Sequence, residues 1–163
     1  MRDRMMLQAA LLALTVLGAG CAHETQPAAQ LPSQPIVRAP ADLRVAVVGI
    51  TKRPLAAGEL APFERAGLRW EYGLQIADTG KVGVRLEQVQ NSVRSLSGVA
   101  STKTIPLPSR VEPNGTTTID IRAVLSTSNP EEPGNLRGVQ ELVFLGRDDQ
   151  GRPVQFTVEV PLS

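Results

Sequence analysis

The chain has 163 residues, with 17 basic and 16 acidic side chains and a formal net charge of +1. It carries no basic stripe, which argues against a nucleic-acid partner. It has one cysteine and one histidine, so no disulfide can form within it and the folded part must rely on its hydrophobic core.

The N-terminus has the pattern of a secretory signal. Basic residues precede an apolar run from Met5 to Val16 that only Gln8 and Thr15 interrupt. This run is shorter than the roughly 20 apolar residues that span a bilayer. Its length and flanks are those of a signal peptide.

The signal leads into the only cysteine through the small residues of LGAGC, which ends at Cys21. This segment resembles the lipobox of bacterial lipoproteins, where the cysteine sulfur is alkylated with diacylglycerol and the preceding peptide is removed. The resemblance implies a signal peptide over residues 1–20 and lipidation at Cys21. Ala22 is similar to the residue found there in lipoproteins of the outer membrane. We therefore expect a lipid-anchored envelope protein, held in the outer membrane and facing the periplasm. The alternative is an ordinary cleaved signal followed by a free thiol.

Residues 21–41 contain four prolines and three glutamines and no alternating apolar pattern. This composition predicts a flexible tether between the lipidated cysteine and a folded domain. His23 lies in this segment without other ligand-type neighbours, so we interpret it as a polar spacer rather than a metal ligand.

The remaining residues, 42–163, have the pattern of β-strands. A short run of mostly branched residues at 43–50 predicts a well-buried strand. Clean alternation predicts further strands at 67–76, 82–86 and 117–125, and a weaker one near 99–105. The segments GVQELVFLG and RPVQFTVEVPL flank RDDQG, which predicts a hairpin. Between the first two strands, LAAGELAPFERAG predicts at most one short helical turn.

About seven short strands without long helices indicate an all-β antiparallel sandwich. The turns DTG at 78–80 and PNG at 113–115, the second followed by a Thr-rich strand, are similar to turns of bacterial immunoglobulin-like domains. The resemblance implies that residues 42–163 form a single immunoglobulin-like domain. It says nothing about function.

The predicted domain contains neither histidine nor cysteine. This removes thiol and Ser-His nucleophiles and the usual zinc ligand sets. Carboxylates remain, but they alternate with core residues or lie in turns, which favours solvated roles; they include Glu71, Glu87, Asp120, Glu141 and Glu159. We predict no catalytic residues, no metal and no cofactor, and therefore a protein that is not an enzyme.

Two acidic segments have alternative interpretations. Asp148 and Asp149, followed by Gly151, could supply oxygen ligands to Ca²⁺. The same residue types form tight turns, and their spacing matches no calcium loop, so we favour the turn. The segment NPEEPGN at 129–135 predicts a loop that could contact a partner.

The few aromatic residues also have two interpretations. Trp70 and Tyr72 could stack against a sugar, but they share a strand face with Leu68, Leu74 and Ile76, which indicates a core position. The same reasoning places Phe144 and Phe156 in the core.

These patterns favour a non-enzymatic lipoprotein whose domain binds another envelope protein through a sheet edge or loops. The alternative is a carbohydrate- or peptidoglycan-binding module, which an exposed aromatic pair would favour. A hydrolase or protease inhibitor comes third, because neither long loop carries a signature of either class. The sequence does not indicate an oligomeric state.

Overall fold

The computed structural model describes residues 31–96, 100–129 and 136–163. No helix in these ranges is long and apolar enough to cross a membrane. A short 3-10 helix, Ala57–Glu59, follows the second strand. The strands are β1 Ile36–Arg38, β2 Leu43–Pro54, β3 Ala66–Asp78, β4 Val84–Ser95, β5 Ala100–Val111, β6 Thr116–Thr127, β7 Gly138–Asp148 and β8 Pro153–Leu162.

The strands form two antiparallel sheets, one in the order β1-β8-β7-β4-β5 and the other in the order β2-β3-β6. Without the three-residue β1, there are seven long strands, as the sequence predicts. The first, second and fifth of them share one sheet, and the third, fourth, sixth and seventh share the other. The first, second and fifth strands face the third, sixth and seventh in immunoglobulin-like domains too, although the constant type places its fourth strand in the first of these sheets. The predicted fold class, an all-β immunoglobulin-like sandwich, is confirmed.

The hydrophobic core lies between the sheets because β3, β6 and β8 each turn alternate apolar residues inward. In the three-stranded sheet, Trp70 lies opposite Ala123 and Tyr72 opposite Ile121. The exposed fraction of the side chains is 1% for Trp70 and 4% for Tyr72. These aromatic residues are therefore core residues, as their strand face predicts.

The core has two parts. The larger cluster contains Phe144 and Phe156, whose rings stack with their centroids 4.6 Å apart. The smaller cluster surrounds Trp70 and consists of Leu68, Trp70, Ala123, Leu125 and Leu162.

The prediction of a well-buried strand at 43–50 is wrong. Strand β2 is the edge of the three-stranded sheet, and Leu43 is its only buried residue. A run of branched residues favours a strand both at the edge and in the centre of a sheet. The run cannot show whether another strand will pair with its outer edge.

The folded part of the chain begins earlier than Asp42. Residues Ile36–Arg38 form β1, which pairs with β8 inside the segment predicted as a tether. Arg38 also forms an ion pair with Glu159 at 2.5 Å. The branched residues Ile36 and Val37 suit a strand, and β8 offers them an open edge. The compact unit accordingly starts at Leu31.

The turns lie at two opposite ends of the sandwich. The hairpin end, as we name it, consists of residues 79–83, 112–115 and 149–152, which join β3 to β4, β5 to β6 and β7 to β8. The tether end consists of residues 55–65, Leu96 and residues 136–137, beside the ends of β4 and β6 and the start of β7. A cleft of about 250 Å³ at this second end is lined from both sheets, by Ser95 and Thr127 among others.

Candidate interaction surface

Strand β2 presents a long open edge. It pairs with β3 from Leu43 to Pro54, and no described strand pairs with its other side. Up to Val48 the pairing is regular. An edge of this kind leaves a row of backbone N–H and C=O groups that an added strand can bond.

A bulge interrupts this edge after Val48. The register shifts between Val48 and Thr51, and Gly49 has a φ of 64°, which glycine adopts without a steric penalty. Val48 and Ile50 are 41% and 45% exposed on either side of this glycine. The bulge therefore limits strand addition to Leu43–Val48 and places two apolar side chains at the end of that stretch.

The other long edges in the described residues are less accessible to an added strand. Pro106 and Pro108 remove two backbone N–H donors from β5. On β6, the carbonyl of Arg122 accepts a hydrogen bond from Gln140 Nε2 at 3.2 Å. The hydroxyl of Thr117 donates to the carbonyl of Arg110 on β5 at 2.7 Å. Strand β2 is thus the most open of the long edges.

The outer face beside this edge carries a network of ion pairs centred on Glu59. Its carboxylate accepts hydrogen bonds from Arg53 at 2.9 and 3.0 Å and from the backbone N–H of Ala56 at 2.9 Å. Arg69 approaches the same carboxylate to 2.8 Å. The hydrogen bonds from Arg53 and then Ala56 lower the pKa of Glu59 from 4.5 to about 2. Glu59 therefore fastens the β2–β3 loop to the sheet face.

A polar cleft of about 320 Å³ adjoins the bulge on this face. Glu71 lies in its wall and is 3.3 Å from Arg122 Nε. Asp120 adds a second carboxylate. No group of three metal-ligating side chains occurs among the described residues. The cleft presents paired charges rather than a nucleophile with its base.

Several predicted features lie outside the described residues. Cys21 and His23 fall in residues 1–30, and six of the seven residues of NPEEPGN fall in 130–135. The lipidation of Cys21 and the contact role of this loop stay predictions.

Asp148 and Asp149 form a turn and ion pairs. The Asp148 carboxylate accepts hydrogen bonds from the backbone N–H groups of Gln150 and Arg152, both at 2.9 Å, and from Arg152 Nε at 2.6 Å. Asp149 accepts two hydrogen bonds from Arg110, at 2.8 and 2.9 Å. These oxygens have protein partners, as the turn interpretation requires.

A buried chain of polar side chains, which no sequence pattern indicated, joins the two sheets. The hydroxyl of Tyr72 donates to Gln140 Oε1 at 2.7 Å, and Gln140 Nε2 donates to Asn91 Oδ1 at 3.0 Å. Gln140 is fully buried, and burial raises the pKa of Tyr72 far above its usual range. The only available signal was a glutamine at an inward position of β7. The burial of Trp70 and Tyr72 also removes the aromatic pair that would have favoured a sugar-binding face.

The comparisons with known proteins support the fold. No family model matches the sequence, and no curated protein matches it. A Northeast Structural Genomics Consortium target designated SoR45 is similar, with a TM-score of 0.57 and 15% identity over 75% of this chain and 86% of that chain. A Bordetella pertussis protein provisionally described as ApaA has a TM-score of 0.52 and 14% identity, over 75% of this chain and 93% of that chain. At such low identity these likenesses show a shared fold alone.

Proposed function

We propose that this protein is a non-enzymatic lipoprotein of the bacterial envelope, anchored through Cys21, whose domain binds another envelope protein. The binding surface is the open edge of β2 over Leu43–Val48, with Val48 and Ile50 beside it. The observation that carries the proposal is this edge, because it combines unpaired backbone groups with exposed apolar side chains.

The partner that fits this edge contains an extended segment. Backbone hydrogen bonds along the six residues Leu43–Val48 would supply affinity, and pockets for Val48 and Ile50 would supply specificity. The neighbouring ion pairs of Glu59 and Glu71 would lie at the rim of such an interface. Rim charges affect the rate of association and partner choice more than affinity.

Site-specific photo-crosslinking in intact cells tests the edge. A benzophenone amino acid at Val48 or Ile50 should give a discrete ultraviolet-dependent adduct that mass spectrometry identifies as an envelope protein. Ile105 is the matched control, because it is a 36% exposed aliphatic residue on β5, the edge that prolines obstruct. The same adduct from Ile105, or none from Val48 and Ile50, would contradict the proposed edge.

Substitution of the edge gives a second test. Val48→Lys combined with Ile50→Lys should abolish the adduct formed from a nearby probe at Ala46, because charged edge residues oppose strand addition. Ile105→Lys should leave it intact. Circular dichroism should show that all variants keep the β-sheet spectrum.

The anchor has its own test. Labelled palmitate should incorporate into the wild-type protein, and Cys21→Ser should abolish both the label and retention in the membrane fraction. Equal labelling of the variant would refute the anchor while leaving the β2 interface open to its separate test.

A further inference from the structure

The tether end exposes two large apolar side chains at its surface. Phe63, in the β2–β3 loop, is 87% exposed, and Leu96, directly after β4, is 57% exposed. Every other aromatic side chain of the protein is buried. Across the described residues, the turns of the hairpin end carry no exposed large hydrophobic side chain.

The exposure of Phe63 is imposed by a closed turn. The backbone N–H of Glu64 donates to the carbonyl of Ala61 at 2.9 Å, and the N–H of Ala61 donates to the Glu64 carboxylate at 2.9 Å. The hydroxyl of Ser126 donates to the other oxygen of that carboxylate. Glu64 thus fixes the turn to β6 and holds Phe63 away from the core.

Leu96 is held at the same end in a similar way. Its backbone N–H donates to the carbonyl of Arg137 at 3.0 Å, which ties the end of β4 to the segment before β7. The backbone N–H of Arg65 donates to the carbonyl of Thr127 at 2.8 Å and ties the β2–β3 loop to the end of β6. Both apolar side chains therefore project from fixed backbone.

Three arginines lie within a few residues of these side chains or of the segments that hold them. Arg65, Arg94 and Arg137 are exposed, and within the described ranges none of them forms an ion pair. At the hairpin end some exposed cations have carboxylate partners and others, such as Lys81 and Arg85, form no ion pair among the described residues. Arg110 and Arg152 are paired, with Asp149 and Asp148 respectively.

The first residue of β1 is the one that lies nearer this same end. In β1, Ile36 lies opposite Glu159 and Arg38 lies opposite Thr157, so β1 starts on the side of Leu162 and runs towards the start of β8. Leu162 belongs to the small core cluster beside Trp70 and Leu125. The 15 residue steps from Cys21 to Ile36 reach at most about 50 Å.

We infer that the tether end docks on the surface of the anionic bilayer that holds the lipid anchor. Phe63 and Leu96 enter the boundary between headgroups and acyl chains, where amphipathic surfaces bind. Three arginines contact the lipid phosphates, a contribution that anionic lipids strengthen. The inference rests on the proposed anchor, because two apolar side chains alone bind a bilayer weakly. An anchor converts that weak contact into an intramolecular one of high effective concentration.

The geometry favours a bilayer over a protein at this end. Phe63 and Leu96 project from separate turns, and the arginines around them are dispersed rather than paired across one pocket. A fluid surface accommodates such scattered contacts, whereas a protein partner requires a matching shape. Docking in this orientation would direct the hairpin end away from the membrane and leave the β2 edge accessible from the side.

Fluorescence of a single environment-sensitive label tests the orientation. Acylation uses the sulfur of Cys21, so Phe63→Cys provides one labelling position in the acylated full chain. The acylated protein is placed in protein-free vesicles of phosphatidylethanolamine and phosphatidylglycerol. A nitrobenzoxadiazole label at position 63 should emit to the blue of its value in water and be quenched by lipids brominated on their acyl chains. Gln150→Cys, exposed at the hairpin end, is the matched control and should show water-like emission without quenching.

A second measurement separates docking from anchoring. The unacylated mature chain carrying Cys21→Ser should bind the same vesicles weakly and lose binding in 0.5 M salt. Phe63→Ser in that background should weaken the binding about ten-fold. At the boundary between headgroups and acyl chains, the Phe63 ring gains roughly half of the transfer free energy of a fully buried Phe side chain, and the substitution removes this gain. If the wild-type protein proves not to be acylated but the unacylated chain still shows this salt-sensitive, Phe63-dependent binding, the anchor is refuted and the docking surface is supported.

Two outcomes would overturn the inference. Water-like emission at position 63 in the acylated protein, equal to that at position 150, would show that the tether end stands off the bilayer. Blue-shifted emission at position 63 in native membranes, but not in protein-free vesicles, would identify a protein as the occupant instead.

Discussion

The two ends of the sandwich differ in the apolar side chains that they expose. At the hairpin end, Asp148 closes its turn with three hydrogen bonds, and Arg110 bridges Glu112 and Asp149. At the tether end, carboxylates also fasten the loop, but Phe63 lies fully outside the fold. The described turns of the hairpin end expose no large apolar side chain, whereas the tether end exposes Phe63 and Leu96.

The largest expected effect separates the inside from the outside of the tether end. Trp70→Ala should lower the free energy of unfolding by about 3–5 kcal/mol, because it leaves a cavity in the small core cluster. Phe63→Ala is the matched control and should change it by less than about 0.5 kcal/mol, since that aromatic ring is exposed. Urea denaturation of both variants measures this difference. A similar loss for both would mean that Phe63 packs against the domain and that the contrast between the ends is false.

A smaller effect is expected at the buried hydrogen bond between Tyr72 and Gln140. Tyr72→Phe should cost about 1–3 kcal/mol of stability, because it leaves the buried Gln140 amide oxygen without its donor. Gln140→Leu should cost at least as much, since it orphans both the Tyr72 hydroxyl and its other partners.

The double variant tests whether these residues act as one unit. Tyr72→Phe with Gln140→Leu should cost clearly less than the two single changes added together, because both partners of the hydrogen bond are removed at once. Strictly additive losses in the double-mutant cycle would show that the bond does not connect the sheets energetically.

The smallest effect concerns the carboxylates that fasten each end. The pKa of Glu59 lies at about 2 instead of 4.5. The pKa of Asp148 is also lowered: desolvation acts to raise it, but hydrogen bonds from the backbone N–H and guanidinium of Arg152 and from the N–H of Gln150 together outweigh desolvation. A lowered pKa means that the folded state binds fewer protons than the unfolded state. Each ionised carboxylate therefore contributes fully to the free energy of unfolding above about pH 5, and this contribution is lost as the pH falls towards about 2.

Urea denaturation between pH 7 and pH 2 checks this expectation at both ends. Glu59→Gln and Asp148→Asn should each flatten the acid limb of the stability curve. Together they should act additively, because the two carboxylates lie at opposite ends and share no partner. If either single variant follows the wild-type slope, the hydrogen bonds around that carboxylate do not contribute to folding.

The outcomes for single segments show what kind of information a sequence contains. Alternation in β3 and β8 predicts the inward faces correctly, because the side-chain period of a strand is fixed by its backbone. Residues 43–50 have equally strong β character, yet β2 lies at an edge. Phe63 lacks any periodic neighbour, so no pattern marked it, although an aromatic residue directly after Pro62 in a loop was the one available signal.

The sequence by itself determined the seven long strands, the inward faces of those that alternate cleanly and the sandwich class, since these depend on local periodicity and turn chemistry. Only the tertiary structure decided which strand is left at an edge, because pairing depends on residues far apart in the chain. It also decided that Gln140 reaches Tyr72 across the core, and that Ile36–Arg38 pair with β8. Those relations between distant segments, rather than any single motif, define the two surfaces through which we propose that the protein acts.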